Sequence, residues 1–545
     1  MTNNANWQWH IPEHFNIGAA CTDAHLGSDK AADLAMIVAD DRSGISSATF
    51  AQLADNSGRF AQLLRNNGIA VGERVLIRLP NSLDFPITFL GTLKSGAIAV
   101  PSSTLLVAEE VGFLAQDSEA RALVMHKSMW SELRETLNRI PSLEQIFLAG
   151  DEEMPPAESH LILHDLPSEL SRISEPGSVH PTRADDPAYL VYTSGTTGHS
   201  KGVLHAHRAL LGRTPSNTHW FDFRPGDRIL HSGRFNWTYV LGTGLMDPLF
   251  NGHTVVVHEG KSDAALWPRL IREHACTIFI GVPTIYRQII EKTDYLGADL
   301  PSLRHCMSAG ETLSEELLTA WRERFGLAIF EGMGMSECSY YISQHPRRPV
   351  RSGSIGCAQP GHDVHLLGSD YVEVACGEEG MIALPEQDPG LFLGYWRQPE
   401  ETARTYRNGF FLTGDYARRD EDGYLWFAGR RDDIINSFGY RISPYEIERV
   451  MKRHPAVAEC IAIGQQIDRE KTLIAICVIP ESGQRPHPEA LLEYGKLHLA
   501  SYKRPRLVHL MESYPRTKNG KVMRQQLKLM LSEQENQADV ETLSR

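Results

Sequence analysis

The first four hundred or so residues alternate between short β-rich runs and segments with a helical pattern. The β-rich runs include RVLIRL (74–79), TVVVH (254–258), TIFIG (277–281) and LAIFE (327–331). Strands that alternate with helices favour parallel sheets covered by helices on both faces. We therefore predict a large α/β N-terminal domain with doubly wound sheets. Ligands in such folds bind beyond the carboxyl ends of the strands.

The last hundred or so residues have a different pattern. Ser443 and Pro444 begin a segment with the signature of a capped helix, and VAECIAIG and KTLIAICVIP read as strands. These elements predict a small α+β C-terminal domain with its own core. The charged stretch GRRDD (429–433) is the natural boundary, which gives domains 1–431 and 432–545.

Composition excludes several classes of protein. The chain has 545 residues and a net charge of −14, which argues against nucleic acid as a partner. We find no secretory signal at the N-terminus and no apolar run long enough to span a membrane. The eight cysteines are scattered without a C-x-x-C pair, so we expect free thiols and a cytoplasmic location.

The stretch YTSGTTGHSKGV (192–203) is the strongest local signal for phosphate binding. It is not a Walker loop, because two residues separate Gly198 from Lys201 and glycine, rather than Ser or Thr, follows the lysine. Backbone N–H groups of a Gly-rich loop can nevertheless surround phosphate oxygens, and Lys201 adds a positive charge. By itself the stretch is also compatible with a flexible surface loop.

Three later motifs occur in a fixed order after this loop. They are FEGMGMSE (330–337), LTGDYARRDEDGYLWFAGRRDDIINSFGYRISPYEIE (412–448) and YPRTKNGKVMR (514–524). With the loop, they resemble the acyl-adenylate-forming enzymes: acyl-CoA synthetases, adenylation domains of peptide synthetases and firefly luciferase. The resemblance extends from about residue 30 to residue 530. It implies a large synthetase domain followed by a small mobile lid domain.

The resemblance also implies a reaction in two steps. A carboxylate attacks the α-phosphate of ATP, pyrophosphate leaves, and the acyl-adenylate then reacts with the thiol of coenzyme A. ATP, Mg²⁺ and coenzyme A are the implied co-substrates and cofactor. The carboxylate is activated mainly by positioning and by stabilisation of charge on the phosphates.

Individual residues take their expected roles from the same motifs. Lys201, Glu337 and Lys521 match catalytic positions; Glu337 would hold Mg²⁺, and Asp415 would take both ribose hydroxyls. Met333 stands where the family has an adenine-stacking aromatic residue, and Ser200 stands where it has proline. The residues expected to bind ATP are Thr193, Ser194, Gly195, Thr196, Thr197, Gly198, Gly310, Glu311, Met333, Ser336, Asp415 and Arg430.

The C-terminal domain is expected to contribute three residues. Lys521 would neutralise charge shared by the carboxylate and the α-phosphate. Asp432 falls at the family's hinge, and Gly439 would line the path of pantetheine. Because Lys201 and Lys521 fall in different predicted domains, we expect domain closure to assemble the site.

SAGETL (308–313) and FNWTYVLGTGLMDPL (235–249) resemble the acetyl, medium-chain and benzoate CoA-ligase branches. The expected acyl pocket contains Trp237, Val282, Gly334 and Met335, although Trp237 could equally be an ordinary core aromatic. Acetate-specific members carry tryptophan where this chain has Gly334. We therefore expect an acid larger than acetate, either a medium-chain fatty acid or an aromatic acid.

Other functions remain open at this stage. The acceptor could be a carrier-protein pantetheine, the chain could be a non-catalytic nucleotide-binding homologue, and luciferases share every motif above. No carrier motif follows residue 530, and Lys521 argues against a non-catalytic role. A homodimer is one assembly that the resemblance leaves open.

Overall fold

The computed structural model divides the chain into two compact units. The first comprises Met1–Val364, Leu384–Phe411 and Asp422–Tyr424, and the second comprises His365–Ala383, Leu412–Glu421 and Leu425–Arg545. Within them, the structure describes residues 7–156, 160–193, 200–310, 313–430, 433, 435–437, 440–466, 472–499, 503–516 and 522–531. The predicted domain boundary between residues 431 and 432 stays a prediction.

The first unit contains a nine-stranded sheet. Six neighbouring strands of it are parallel, and antiparallel strands close both edges. In spatial order, the strands are Cys357–Ala358, Ser339–Ser343, Ile329–Met335, His305–Ala309, Ile278–Ile280, Arg228–His231, Thr254–Glu259, Leu34–Asp40 and Gly44–Thr49.

A second sheet of eight strands lies in the same unit. Its strands, in spatial order, are Gly394–Tyr395, Lys201–Ala206, Pro187–Thr193, Ile98–Pro101, Arg74–Arg78, Ala120–His126, Gln145–Ala149 and Ile162–Asp165. The strands from Pro187–Thr193 onward in this order are parallel, and the first two are antiparallel additions. A short hairpin of Tyr406–Arg407 with Phe410 and Phe411 also belongs to this unit.

Helices in the first unit follow the strands along the chain, as the alternation predicts. The α-helices are Ile17–Ala20, Phe50–Asn66, Asp84–Ser95, Ala108–Asp117, Trp130–Leu137, Leu166–Arg172, Pro215–His219, Thr238–Leu241, Asp247–Phe250, Leu266–Glu273, Pro283–Lys292, Glu315–Phe325 and Pro399–Arg404. A single π-helical turn, Gly242–Met246, lies between two of them. None of the helices that the structure describes is long and apolar enough to cross a membrane.

Each of the two sheets packs against its own apolar core. The core of the nine-stranded sheet contains Trp321, Tyr286 and Phe279, and that of the eight-stranded sheet contains Leu76, Leu123 and Leu133. A further aromatic cluster contains Trp220, Phe221, Ala309 and Tyr340. Gly332 is required there, because a Cβ at this position would lie 2.3 Å from the Trp220 ring.

The second unit is smaller and mixed in structure. One sheet contains His365–Leu367, residues 379–383 of the strand Glu379–Pro385, residues 412–419 of the strand Phe410–Arg419, and Leu425–Arg430. Another contains Val457–Gln466, Thr472–Pro480 and Leu507–Leu510. Ile435–Ser437 pairs with Tyr440–Ile442. Its helices are Pro444–Met451 and Pro488–His498, and residues 524–531 are helical as well.

A buried ion pair joins Arg524, near the end of the second unit, to Glu448 in the helix Pro444–Met451. Arg524 contacts both carboxylate oxygens of Glu448, at 2.5 and 2.9 Å, and also donates to the carbonyl of Ala462. Breaking such a pair by removing one partner leaves an uncompensated buried charge. This contact therefore holds the segment that follows YPRTKNGK against the core of the unit.

Candidate active site

The two ends of the predicted phosphate loop belong to adjacent strands. Thr193 and Lys201 are directly opposed in the antiparallel pair Pro187–Thr193 and Lys201–Ala206. A Walker loop instead leads from a strand into a helix. The strand-to-strand connection explains why the spacing of glycines and lysine differs from that motif.

Lys201 is held by two side chains from the segment 395–401. Its ammonium group forms an ion pair with the Glu401 carboxylate and lies 5.3 Å from the centre of the Tyr395 ring. The contact with Lys201 lowers the pKa of Glu401. Lys201 is therefore positioned by a counter-ion and an aromatic face, both of which suit an ammonium group.

Tyr395 also contacts the candidate Mg²⁺ residue. Its hydroxyl donates a hydrogen bond of 2.8 Å to Oε1 of Glu337, and the backbone N–H of Phe392 donates to the Glu337 carbonyl. Tyr395 thus lies between Lys201 and Glu337, although it is 194 residues from one and 58 from the other. Sequence reasoning missed Tyr395, because no local pattern in GYWRQPEE indicates this contact.

We expect Tyr395→Phe to weaken binding of MgATP by about 10-fold, because a hydrogen bond to a charged group is worth about 1.5–3 kcal/mol. The ring beneath Lys201 remains in this variant, so ATP without Mg²⁺ should bind nearly as before. Tyr395→Leu also removes the ring and should weaken both. Calorimetric titration with ATP, with and without Mg²⁺, measures the two effects.

Tyr295→Phe is the matched control, since Tyr295 packs against the core that contains Trp321. It should leave both affinities unchanged. Equal losses for ATP and MgATP in Tyr395→Phe would show that the hydroxyl does not act through Glu337.

Ser336 is fixed by neighbours on two other elements. Its carbonyl accepts a 2.6 Å hydrogen bond from Nε2 of His205, and its hydroxyl lies 3.4 Å from that of Thr238. Burial lowers the pKa of His205 to about 4, so the imidazole is neutral, and its ring stacks on Tyr189. The strand that carries Lys201 therefore also positions the motif that carries Glu337.

Glu331 is a buried acid that sequence reasoning also missed. It is 5% exposed, and burial raises its pKa to about 8 although Leu313 donates a backbone hydrogen bond to it. Its own backbone is bonded to Gln344. The signal was present in the sequence, since an acid within the apolar strand IFEGMGM has no structural need. At neutral pH this carboxyl is a proton donor two residues before Met333.

Stability should depend on pH through Glu331. Its folded pKa lies above the ordinary value of 4.5, so between about pH 4.5 and 8 the folded state holds a proton that the unfolded chain releases. The free energy of unfolding should fall across this window by up to about 1.4 kcal/mol per pH unit and become level above it.

Thermal unfolding of wild type and Glu331→Gln at pH 5.5, 7.0 and 8.5 isolates this contribution, because the other titrating groups are common to both proteins. We expect the melting temperature of the wild type to fall more steeply with pH. Parallel pH profiles would contradict the assignment.

The candidate acyl residue Val282 and the candidate ATP-binding residue Gly310 lie where parallel strands of the nine-stranded sheet end. Val282 follows Ile278–Ile280, and Gly310 follows His305–Ala309 with a φ of +93°. A Cβ on Gly310 would lie 3.5 Å from the Trp237 ring. Trp237 and Gly310 are therefore adjacent, and Trp237 is only half-buried. Met333 and Met335 are half-buried on the neighbouring strand.

The expectation that Gly334 leaves open space for the acid is wrong. A Cβ at Gly334 would lie 1.8 Å from the carbonyl oxygen of Ser339 and 2.7 Å from Cα of Tyr340. The backbone of the adjacent antiparallel strand occupies the volume that a side chain would enter, next to a bulge between Met333 and Gly334. Tryptophan at this position would displace that strand, so the glycine at position 334 gives no information on the size of the acyl pocket.

In the second unit, Asp415 and Arg430 are directly opposed on paired strands. Nε of Arg430 lies 3.5 Å from Oδ1 of Asp415, and the Asp415 side chain is 10% exposed. The backbone N–H of Asp415 is bonded to Thr413. The structure thus brings together the two residues expected to bind ribose, and the guanidinium is a charged partner of the carboxylate.

Several predicted site residues lie outside the described part of the chain. These are Ser194, Gly195, Thr196, Thr197, Gly198, Glu311, Asp432, Gly439 and Lys521. Their roles stay predictions from the sequence.

Family models account for most of the chain. The model described as AMP-binding enzyme matches residues 28–396, and that of the AMP-binding enzyme C-terminal domain matches residues 446–521. The chain belongs to the AMP-binding enzyme family. The resemblance drawn from the four motifs is confirmed.

The curated relatives of this chain include CoA ligases for hydroxybenzoate and benzoate and an acyl-coenzyme A synthetase. A 3-hydroxybenzoate–CoA/4-hydroxybenzoate–CoA ligase of Thauera aromatica is 32% identical over 89% of this chain and 92% of its own length. A benzoate–CoA ligase of the same species is 31% identical over 95% and 96%. A mitochondrial acyl-coenzyme A synthetase of Mus musculus is 28% identical over 95% and 91%.

Solved structures of AMP-binding enzymes share the fold over nearly the whole chain. An anthranilate CoA ligase in complex with anthranoyl-AMP superposes with a TM-score of 0.84 at 28% identity, over 95% of this chain and 98% of that one. A benzoate CoA ligase from Burkholderia xenovorans LB400 gives 0.81 at 26% identity, over 94% and 100%. The predicted α/β synthetase fold with a smaller second domain is confirmed.

Proposed function

We propose that this protein is an AMP-forming acid–CoA ligase that activates a carboxylic acid larger than acetate, either aromatic or of medium chain length. The observation that carries the proposal is the joint contact of Tyr395 with Lys201 and Glu337. This contact joins a cation suited to phosphate to a carboxylate suited to Mg²⁺. Family membership supplies the reaction class, and the named relatives support the range of acids.

Mg²⁺ fits the residues available at this site. In the described part of the chain, no group of three or more His, Cys, Asp or Glu residues could hold a metal. Mg²⁺ normally needs only one or two protein carboxylates, with water and substrate phosphates completing its shell. Glu337 is half-buried and would be that carboxylate. When bound, the ion would neutralise charge on the triphosphate.

The protein's own residues would act mainly by positioning and by charge. Lys201 would give up its ion pair with Glu401 and bind the β and γ phosphates instead. Ser336 would donate a hydrogen bond from its hydroxyl to the α-phosphate. Asp415 would accept both ribose hydroxyls, and Lys521 would stabilise the charge that carboxylate and phosphate share in the transition state. Gly439 would leave room for pantetheine in the second step.

We also propose an acceptor for the acyl group and a cellular compartment for the protein. We infer free coenzyme A as the acceptor, because the named relatives are CoA ligases. All eight cysteines are free and seven are buried, which suits a reducing compartment, so we propose the cytoplasm.

A screen for acid-dependent AMP release tests the function. Purified protein is assayed with ATP, Mg²⁺, coenzyme A and acids from acetate to dodecanoate together with substituted benzoates. We expect turnover with a benzoate or a medium-chain acid and at most weak turnover with acetate. A best kcat/KM for acetate would contradict the proposed acid class, and turnover only with a pantetheinylated protein would replace coenzyme A as the acceptor.

A further inference from the structure

Glu401 contacts the lysine of the proposed phosphate site with one oxygen and a neighbouring arginine with the other. Its Oε1 forms the ion pair with the ammonium group of Lys201, and Nη1 of Arg404 lies 3.3 Å from its Oε2. The contact with Lys201 lowers the pKa of Glu401, so this carboxylate is ionised at neutral pH. An anionic side chain therefore contacts the same ammonium group that is assigned to the β and γ phosphates.

The backbone around Glu401 is fixed to the strand Lys201–Ala206. The strand Gly394–Tyr395 pairs with that strand in antiparallel fashion. The hydroxyl of Thr402, which follows Glu401 directly, accepts a 2.8 Å hydrogen bond from the backbone N–H of Tyr395. The contact between Glu401 and Lys201 therefore follows from backbone pairing and does not depend on a chance meeting of two surface side chains.

The ion pair can nevertheless open at low cost. The Lys201 side chain is 19% exposed and that of Glu401 is 31% exposed, so water reaches both. Arg404 lies three residues further along the same helix and remains beside the Glu401 carboxylate when Lys201 turns away. Opening a fully buried pair would leave an uncompensated charge, whereas a partly exposed pair adds little to stability. Glu401 is thus a partner that a polyanion can displace.

Building on the proposed function, we propose that Glu401 competes with phosphate oxygens for Lys201 and thereby speeds the release of pyrophosphate. The β and γ phosphates of ATP displace the Glu401 carboxylate when ATP binds. They leave as pyrophosphate once the acid has attacked the α-phosphate, and Glu401 then contacts Lys201 again. Glu401 acts through Lys201 and not on the reacting atoms. It weakens the binding of ATP and of pyrophosphate by the same factor, and weak binding of pyrophosphate opposes the reversal of adenylation.

Three ligands and one matched variant separate this role from a general effect of charge. ATP and pyrophosphate both carry the phosphates assigned to Lys201, whereas AMP carries only the α-phosphate. Glu400 is the neighbour of Glu401 in the first turn of the helix Pro399–Arg404, and it is exposed. Glu400→Gln changes the net charge of the protein by the same amount as Glu401→Gln.

Calorimetric titration of the full-length protein with ATP, pyrophosphate and AMP, each with Mg²⁺, tests the proposal. Glu401→Gln should raise the affinities for ATP and pyrophosphate in parallel by about 3- to 10-fold, since the phosphates no longer displace a charged partner. Glu401→Ala should raise them at least as much, and AMP affinity should not change in either variant. In a Lys201→Ala background, Glu401→Gln should have no effect on any of the three affinities.

Turnover provides a second readout. In acid–CoA ligation, Glu401→Gln should lower the KM for ATP and make the reaction more sensitive to added pyrophosphate. Inorganic pyrophosphatase should remove that extra inhibition. A loss of stability alone would not lower the KM or create an inhibition that pyrophosphatase relieves.

Glu400→Gln should leave all three affinities unchanged. The inference would be overturned by an equal gain in Glu400→Gln, by a gain for AMP, or by the same gain from Glu401→Gln when Lys201 is absent. Unchanged affinity for ATP or for pyrophosphate in both Glu401 variants would also overturn it. These outcomes leave acid-dependent AMP release by the wild type intact. Wild-type protein that binds neither ATP nor pyrophosphate and releases no AMP with any acid would overturn the proposed function as well.

Discussion

Lys521→Ala is expected to slow acyl-adenylate formation by about 10²–10³-fold, the effect of losing one preorganised charge stabiliser in an active site. The attacking carboxylate and the α-phosphate are both negatively charged, so they repel each other more strongly as they approach. A lysine placed between them stabilises that arrangement most in the transition state, so the loss appears in kcat. Acid-dependent exchange of pyrophosphate into ATP measures this half-reaction.

The second half-reaction provides the internal control. Thioester formation from supplied acyl-adenylate and coenzyme A should survive in Lys521→Ala, because the phosphate has already been attacked. Lys496→Ala is the matched control variant, since Lys496 is exposed on the helix Pro488–His498 of the second unit and contacts only its neighbour Glu493 among the contacts resolved for it. It should alter neither half-reaction. Equal losses in both half-reactions for Lys521→Ala would contradict its assigned role.

Asp415→Ala is expected to reduce kcat/KM for ATP by about 10²–10³-fold. Each hydrogen bond from a ribose hydroxyl to a carboxylate is worth about 1.5–3 kcal/mol, and Asp415 is assigned two. The Asp415 side chain is nearly buried beside Arg430, so the Arg430 guanidinium loses its ion pair with Asp415 in this variant. Part of the effect will therefore appear as lower stability of the second unit.

A comparison of two nucleotides separates the effect of Asp415→Ala on ribose binding from its effect on protein stability. Wild-type protein should discriminate strongly between ATP and 2′,3′-dideoxy-ATP, which lacks both hydroxyls. Asp415→Ala should use the two nucleotides with nearly equal kcat/KM, whatever its melting temperature. Retained discrimination in the variant would assign the ribose to another residue.

The fold was largely predictable from local patterns. Runs such as TVVVH and TIFIG form parallel strands because uninterrupted β-branched and apolar residues suit a sheet that is buried on both faces. The capped segment at Ser443 forms the helix Pro444–Met451. The sequence could not reveal that residues 365–383 and 412–421 belong to the second compact unit, because that grouping depends on strand pairing between distant segments.

The candidate site was predictable where the family motifs are contiguous. Asp415 and Arg430 were both named from their motifs, and pairing of two neighbouring strands places them together. Tyr395, Glu401 and His205 were not found, because each acts through a partner at least 58 residues away. Gly334 was misjudged, because the direction of a missing side chain depends on the adjacent strand and its bulge.

The most direct test of the central claim is the product stoichiometry with free coenzyme A. Purified protein is incubated with ATP, Mg²⁺, coenzyme A and a hydroxybenzoate or the best acid of the screen, and the nucleotide and thioester products are separated by chromatography. We expect AMP, pyrophosphate and acyl-CoA in equal amounts, with acyl-AMP accumulating when coenzyme A is omitted. Formation of ADP and phosphate, or no acid-dependent cleavage of ATP with any acid, would contradict the proposed function.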